Sequence, residues 1–395
     1  MQVIVFEDAA VERLAPLTTL RPACDLTIGA QTLCQSLAHI GSVHRVVRPH
    51  LARHLAAIAD SRVTLWGASA EESAEEPIAS RHGAVTVVVN ARVVPSRATV
   101  VAIRSLVEAG HRGSVRDGTA IAAAILHRSP DGVGNDDVAL RRLVDDGSTD
   151  AIESLDLPPL DCSLELLREP HDPIVAHEWA IAGSLAMLID SGRFTEIRPG
   201  LFAAKEATIA DQVVVRHGPV VVEAGADIGP FVCIDGPACI GRNARVNPHA
   251  WIRAATTIGE ACRVGGEIEA TVMEPFANKP HHGFLGHSHV GSWANLAAGT
   301  TTSNLKASYG TVRLKEPGRT IDTGRQFLGA LVGDLAKTAI NTSLPCGARI
   351  GVAATVGGAV PETVPAFQNH LVAAGGGSTT VDQTATVLER MMVRR

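Results

Sequence analysis

Between Ile228 and Gly265 the chain reads IGPFVCIDGPACIGRNARVNPHAWIRAATTIGEACRVG, and the rhythm of this stretch decides the fold. Ile228, Ile234, Ile240, Val246, Ile252, Ile258 and Val264 recur every six residues. Four positions after each stands Val232, Ala238, Ala244, Ala250, Thr256, Cys262 or Ile268, a mostly small set. The residue following each aliphatic one is Gly229, Asp235, Gly241, Asn247, Arg253, Gly259 or Gly265, turn-prone with Arg253 as the exception. This spacing fits neither the ~3.6-residue period of a helix nor the ~2-residue period of a flat strand. It is the pattern of a hexapeptide β-helix, in which each hexad forms one short side of a coil and sends one aliphatic and one small side chain into a narrow core.

Outward from this run, the hexads begin one phase early at Ile209, Val215 and Val221 and correct by one residue before Ile228. On the other side, Thr271–His282 reads as an insertion that interrupts the coil. Hexads resume at Val290 and Leu296, an excursion spans about Ser303–Gln326, and the pattern returns at Val332, Thr338, Leu344, Ile350 and Val356. Beyond Gly375–Gly377, Val381–Arg395 reads as a helical tail. Ahead of the solenoid, short apolar runs alternate with helical segments: strands at 2–6, 43–47, 63–66, 85–89 and 120–126, and helices at 26–40, 49–59, 98–109 and 171–189. This alternation predicts an α/β layer with a mostly parallel sheet. The expected domains are 1–199, an α/β domain, 200–361, the β-helix, and 362–395, the tail.

Composition agrees. Apolar residues make up 46% of the 395-residue chain but aromatics only 3%, which suits a thin solenoid core without room for rings. A net charge of −6 argues against nucleic acid or an anionic membrane surface as the main partner. The seven cysteines form no C-x-x-C pair, no run of 18 apolar residues occurs, and the amino terminus lacks a signal-peptide pattern, so a reduced, cytoplasmic protein is expected.

Chemistry is expected where the coil is interrupted. Four histidines, His281, His282, His287 and His289, fall within Asn278–His289. A histidine on a loop over a cleft titrates near neutrality and serves as a general base. Two readings stay open on spacing alone: a base for attack on a thioester, and a zinc site built from His282, His287 and a third histidine, as in β-helix carbonic anhydrases. Glu267 and Glu269 stand just before, placed to orient a histidine. Trp251 and Trp293 fall at outward positions, and Lys306 and Tyr309 lie in the second excursion.

The block Asn295-Leu296-Ala297-Ala298-Gly299-Thr300 through Asn304 resembles the N-[IL]-[GA]-A-G-T-x-x-x-N segment of the GlmU-type acetyltransferase domain. His281-His282-Gly283-Phe284-Leu285-Gly286 resembles the His-x-x-aromatic-Leu-Gly element that precedes it in that family. The resemblance implies an α/β nucleotidyltransferase-like (Rossmann-like) domain followed by a left-handed parallel β-helix, an exception to right-handed crossovers. It implies acetyl-CoA as co-substrate, an amino sugar or sugar nucleotide as acceptor, and a homotrimer. By its register His281 is the base, Phe284, Asn295 and Asn304 contact the acceptor, Lys279 meets a phosphate, and Ala298 and Asp334 lie along the coenzyme A wall. Asp334 departs from a family Gly-Ser. In the amino-terminal half, Leu17-Thr18-Thr19-Leu20-Arg21-Pro22-Ala23-Cys24-Asp25-Leu26-Thr27-Ile28-Gly29 resembles a divergent GlmU-like bacterial group. There Arg21 is a phosphate ligand or the partner of Asp25. A Gly-rich phosphate loop is missing. Phe6-Glu7-Asp8-Ala9-Ala10 stands in its place, and Mg²⁺ would enter only with an active nucleotidyl transfer site. A scaffold that holds a nucleotide sugar without turnover is the third reading.

Overall fold

The structure, a computed structural model, describes residues 1–57, 63–65, 85–316, 318–371 and 376–393. Trp66 and residues 58–59, expected to end a strand and a helix, lie outside the described residues. Contacts divide the chain into two compact units. One holds Met1–Leu14, Arg21–Leu26 and Gln31–Arg168; the other holds Ala15–Leu20, Thr27–Ala30 and Glu169–Arg395. The boundary expected at 199–200 therefore falls inside the second unit.

The first unit is built on a six-stranded sheet. Its strands are β1 (Gln2–Phe6), β2 (Ser42–Val46), β3 (Val63–Leu65), β4 (Val85–Asn90), β5 (Gly113–Asp117) and β6 (Ala120–His127), in the order β3-β2-β1-β4-β6-β5. The β1–β2, β2–β3 and β1–β4 pairs are parallel, and β6 runs antiparallel to β4 and β5. Continuous apolar runs such as Val3–Phe6, buried at every position, mark strands covered on both faces. Ile4, Phe6, Val88, Ala124 and Leu126 pack with Leu140, Leu143 and Ile152 of the helices at Asn135–Asp146 and Asp150–Glu153. The helix expected over 26–40 is only Leu33–Leu37, started by a Thr32–Gln35 capping box. The residues before it are drawn into other contacts, described below.

The second unit is the parallel β-solenoid, whose hexad positions are the core. Ile228, Val232, Ile234, Ala238, Ile240, Ala244, Val246, Ala250 and Ile252 are all buried in one continuous cluster that runs on to Val364. Successive coils stack in register: Ile228 on Val246, Ile234 on Ile252, Ile240 on Ile258, Val246 on Val264. The early phase shift resolves at a register break between Val215 and His217, which absorbs one residue. Val222, not Val221, consequently pairs with Ile240 and enters the core. Val221 and Cys239 face outward against Ile181 and Leu185 of a long helix, α1 (Asp172–Asp190).

The expected interruption at Thr271–His282 is not one. Val272–Met273 and Asn278–Lys279 are ordinary rungs that pair with Ile258 and Val264. A methionine and a lysine occupy aliphatic slots there, and the shortened coil hides the period. The excursion after Ser303 is real, and contains an antiparallel hairpin, Arg313–Glu316 with Arg319–Asp322. The tail helix spans Val381–Met392 behind a Thr380–Gln383 capping box.

Within this unit the segment Thr27–Ala30 is stitched to α1 and the coil. His177, fully buried on α1, accepts from Gly29 N–H at Nδ1 (3.0 Å) and donates from Nε2 to the Ala255 carbonyl (2.8 Å). Thr257 donates to the Gly29 carbonyl (2.7 Å), and Ala30 N–H donates to Ser184 Oγ (2.9 Å). Gly29 has φ +66°, and a Cβ there would lie 2.7 Å from that of Ser184, so this last motif position requires glycine. Burial, opposed by those backbone partners, pushes His177 down to about 4. The folded imidazole thus binds its proton more weakly than the unfolded one, and stability is lost as pH falls from about 6.5 toward 4. Between pH 7 and 5 the loss from this group is about 2 kcal/mol. Urea midpoints should fall accordingly in the wild-type chain, and His177→Gln should flatten that slope.

Candidate active site

Sheet residues Trp251–Ile252, Glu267–Glu269 and Phe284–Gly286 are successive rungs on one face of the solenoid. At the end of this face Arg253, Glu267, Glu269, Phe284, His287, Asn304, Leu305 and Phe327 line a cleft of about 540 Å³. Leu305 and Phe327 come from the two ends of the excursion, so the departure from the coil supplies a wall of the cleft. Arg253 Nη1 donates to Glu267 Oε1 (3.0 Å) and Glu269 Oε2 (2.8 Å). Burial pushes the Glu269 carboxyl up, against the pull of Arg253.

His287 occupies the corner of the coil, with φ +47°. Its Nδ1 lies 3.0 Å from the Asn304 amide, and its ring stacks on Phe327 with centroids 5.4 Å apart. Nε2 is left without a hydrogen bond among the described residues, yet it is open to solvent. Burial, reinforced by Arg325 and Arg253, lowers its pKa to about 4. The ring is thus neutral at pH 7. Asn304 Nδ2 donates to Nδ1, which places the ring proton on Nε2; a half-turn of the Asn304 amide would set its oxygen against Nδ1–H and free the Nε2 lone pair.

The residues expected from sequence separate here. Phe284 and Asn304 meet at the cleft, and Glu267 and Glu269 join them. His281 stands exposed on a bend and does not line it. Lys279 is corrected outright. It fills an inward slot over Val264, and its ammonium donates to the carbonyls of Gly265 (3.0 Å), His281 (3.1 Å) and Gly283 (2.8 Å). All three protons are used, so none reaches a phosphate. Burial lowers its pKa to about 8. Lys279→Met should leave buried carbonyls unmatched at roughly 1–3 kcal/mol each, read as a lower unfolding midpoint in calorimetry. An unchanged midpoint would show that these bonds contribute nothing.

Asn295 accepts from Asn278 Nδ2 (2.7 Å), and the Ala298 carbonyl accepts from Asn341 N–H (2.8 Å), both away from the cleft. Asp334 is buried, and its Oδ1 accepts from Ser292 N–H (2.6 Å), so the carboxylate caps a coil corner instead of lining an open wall. Trp251 donates to Asp235 (2.8 Å) and Trp293 stacks on Phe276 (4.6 Å). Lys306 donates to the Thr311 carbonyl (2.9 Å), and Tyr309 is exposed. His282 and His287 belong to no group of three metal-ligating side chains among the described residues, and the zinc reading gains nothing from the fold.

In the first unit the carboxylates that replace a phosphate loop are both engaged. Glu7 accepts from Arg48 Nε (3.0 Å) and Ala23 N–H (3.0 Å). Asp8 Oδ1 accepts from Ala10 N–H (3.1 Å) and Arg92 Nε (2.8 Å), and Oδ2 from Asn90 (2.8 Å) and Arg92 Nη2 (2.6 Å). Burial alone would raise Asp8, but Arg92 and Asn90 hold it below the usual carboxylate range. Neither carboxylate is open to a hydrated Mg²⁺, so the residues present do not fit that ion. Arg21 lies in the same unit, where its carbonyl accepts from Arg48 (3.1 Å), while Asp25 is joined by Arg45.

Residues 3–192 match the family described as sugar nucleotidyl transferase. The bifunctional sugar-1-phosphate nucleotidylyltransferase/acetyltransferase of Sulfurisphaera tokodaii is 29% identical over 158 residues, 40% of this chain and 39% of that protein. The bifunctional protein GlmU of Methanococcus vannielii is 33% identical over 142 residues, 35% of this chain and 34% of its own. That of Alkalilimnicola ehrlichii is 30% identical over 200 residues, 46% and 39%. The matches span less than two-fifths of these relatives' length. A UDP-N-acetylglucosamine acyltransferase structure from Campylobacter jejuni aligns over 39% of this chain and 66% of its own, with 14% identity and a TM-score of 0.27. Residues 3–192 are thus similar to the sugar nucleotidyl transferases, and in this chain that region is followed by a parallel hexapeptide solenoid.

Proposed function

We propose that this chain is an acetyl-CoA-dependent acyltransferase for an amino sugar or sugar nucleotide, acting as a cytoplasmic homotrimer, with His287 as general base. The observation that carries this reading is the neutral imidazole of His287, held by Asn304 and Phe327 at a cleft of about 540 Å³ with Nε2 unbonded, and it acts as the base with the Asn304 amide oxygen turned to Nδ1–H. The acceptor attacks the thioester carbonyl directly, His287 takes its proton, the C–S bond breaks, and the proton passes to the departing sulfur so that coenzyme A leaves as the thiol. His287 replaces His281 in this role because His281 lies outside the cleft. The amino-terminal domain holds a nucleotide sugar without nucleotidyl transfer, since Arg48 and Arg92 neutralise the carboxylates that a metal would need.

Release of coenzyme A thiol, followed colorimetrically across a panel of amino sugars and sugar nucleotides, tests the reading. Acceptor-dependent release is expected. Absence of release, together with no thermal shift from acetyl-CoA, would overturn it.

A further inference from the structure

The 3₁₀ turn Ala23–Asp25 and the helix Leu33–Leu37 of the first unit bring together three potential metal ligands that the function above does not use. One donor atom each from Cys24, Asp25 and Cys34 lies within 4.8 Å of the other two. No other three His, Cys, Asp or Glu side chains among the described residues come together in this way. Cys24 is fully buried and Cys34 is 8% exposed. Tetrahedral zinc with Zn–S near 2.3 Å holds two sulfurs ~3.8 Å apart, so the ligands need close in only slightly.

A second observation comes from Arg45 on β2. Its Nη1 donates to Asp25, but its buried Nε has no acceptor among the described residues. That leaves a guanidinium donor unanswered beside two cysteine sulfurs, as expected where thiolate charge forms there only when a metal ion displaces the thiol protons. With zinc bound, two thiolates and the Asp25 carboxylate are balanced by the ion and Arg45 together. Without it, Asp25 and Arg45 balance each other. Both states are neutral, which removes the main cost of burying the charges.

We propose that Cys24, Asp25 and Cys34 form a binding site for zinc, completed by water and closing the loop from Cys24 to Cys34. On binding, each thiol gives its proton to solvent and forms a Zn–S bond, so one Zn²⁺ displaces two protons with no change of oxidation state.

The test uses the untagged full chain. After equilibrium dialysis against zinc chloride, elemental analysis should give one zinc per chain, and cobalt substituted for zinc should show thiolate-to-cobalt charge-transfer absorption in the near ultraviolet. Cys24→Ser and Cys34→Ser should each weaken zinc binding by about tenfold or more. In the unaltered chain, zinc should slow alkylation of Cys24 and Cys34, mapped by peptide mass spectrometry, and leave Cys162 and Cys346 unchanged. This second readout stands even where a variant fails to fold. Unprotected Cys24 and Cys34, a cobalt band that persists in Cys34→Ser, or a Cys24–Cys34 peptide two hydrogens lighter that excludes zinc would each overturn the proposal.

Discussion

Replacing His287 with alanine is expected to lower kcat for acetyl transfer by about 10²–10⁴-fold, the range for removing a positioned general base. KM for the acceptor should change much less, because the ring's role lies in proton transfer. Asn304→Ala leaves the base in place but frees its ring, and a smaller loss is expected, with the effect again on kcat. The pH profile supplies a further check. Burial, with Arg325 and Arg253, holds His287 at about 4, so the free enzyme keeps its base unprotonated well below the ordinary histidine value of 6.5. The acid limb of kcat/KM should therefore fall nearer pH 4 than pH 6.5. His281→Ala should retain activity. A His287→Ala protein as active as wild type, alongside an inactive His281→Ala, would return the base to the position implied by family resemblance.

Glu274→Ala is expected to have the largest effect on stability. Glu274 is 1% exposed, and accepts from Thr27 N–H (2.9 Å), Thr27 Oγ (2.9 Å) and His289 Nε2 (2.9 Å). His289 is itself fully buried, and its Nδ1 has no partner among the described residues, so it depends on this carboxylate. Removing the acceptor leaves a buried imidazole and two Thr27 donors unmatched, a loss of about 3–5 kcal/mol. Glu274→Gln keeps an oxygen for His289 and Thr27 N–H, and about 1 kcal/mol is expected. Urea unfolding monitored by circular dichroism distinguishes the two. Equal, small losses would mean that the network is not formed.

Much of this molecule was legible in advance, and the limits of that reading are physical. Hexads from Ile228 to Val264 located the core because an axial solenoid admits only residues that repeat with the coil. The rungs at Met273 and Lys279 escaped notice because the coil shortens there and a lysine stands in an aliphatic slot. Its ammonium is tolerated only where three carbonyls happen to converge, and no spacing rule encodes that. The helix expected from Leu26 failed for a similar reason. Thr27 and Gly29 are claimed by Glu274, His177 and Thr257, residues about 150 to 250 positions away in sequence. One signal for the cleft was present and unused. Arg253 was the single non-turn residue in its column, and it bridges Glu267 and Glu269 at the cleft wall.

The sequence by itself determined the architecture: a parallel solenoid follows from a six-residue period, and an α/β layer follows from alternating apolar runs. Both are local repeats, and local repeats survive in one dimension. Which histidine serves chemistry was decided by tertiary structure alone. His281 and His287 lie six residues apart in one loop-like stretch, but the coil turns a corner between them. That turn leaves one in solvent and sets the other, neutral and with one nitrogen free, against Asn304 and Phe327. Burial and the approach of residues from distant coils produce that difference, and neither is a property of neighbours along the chain.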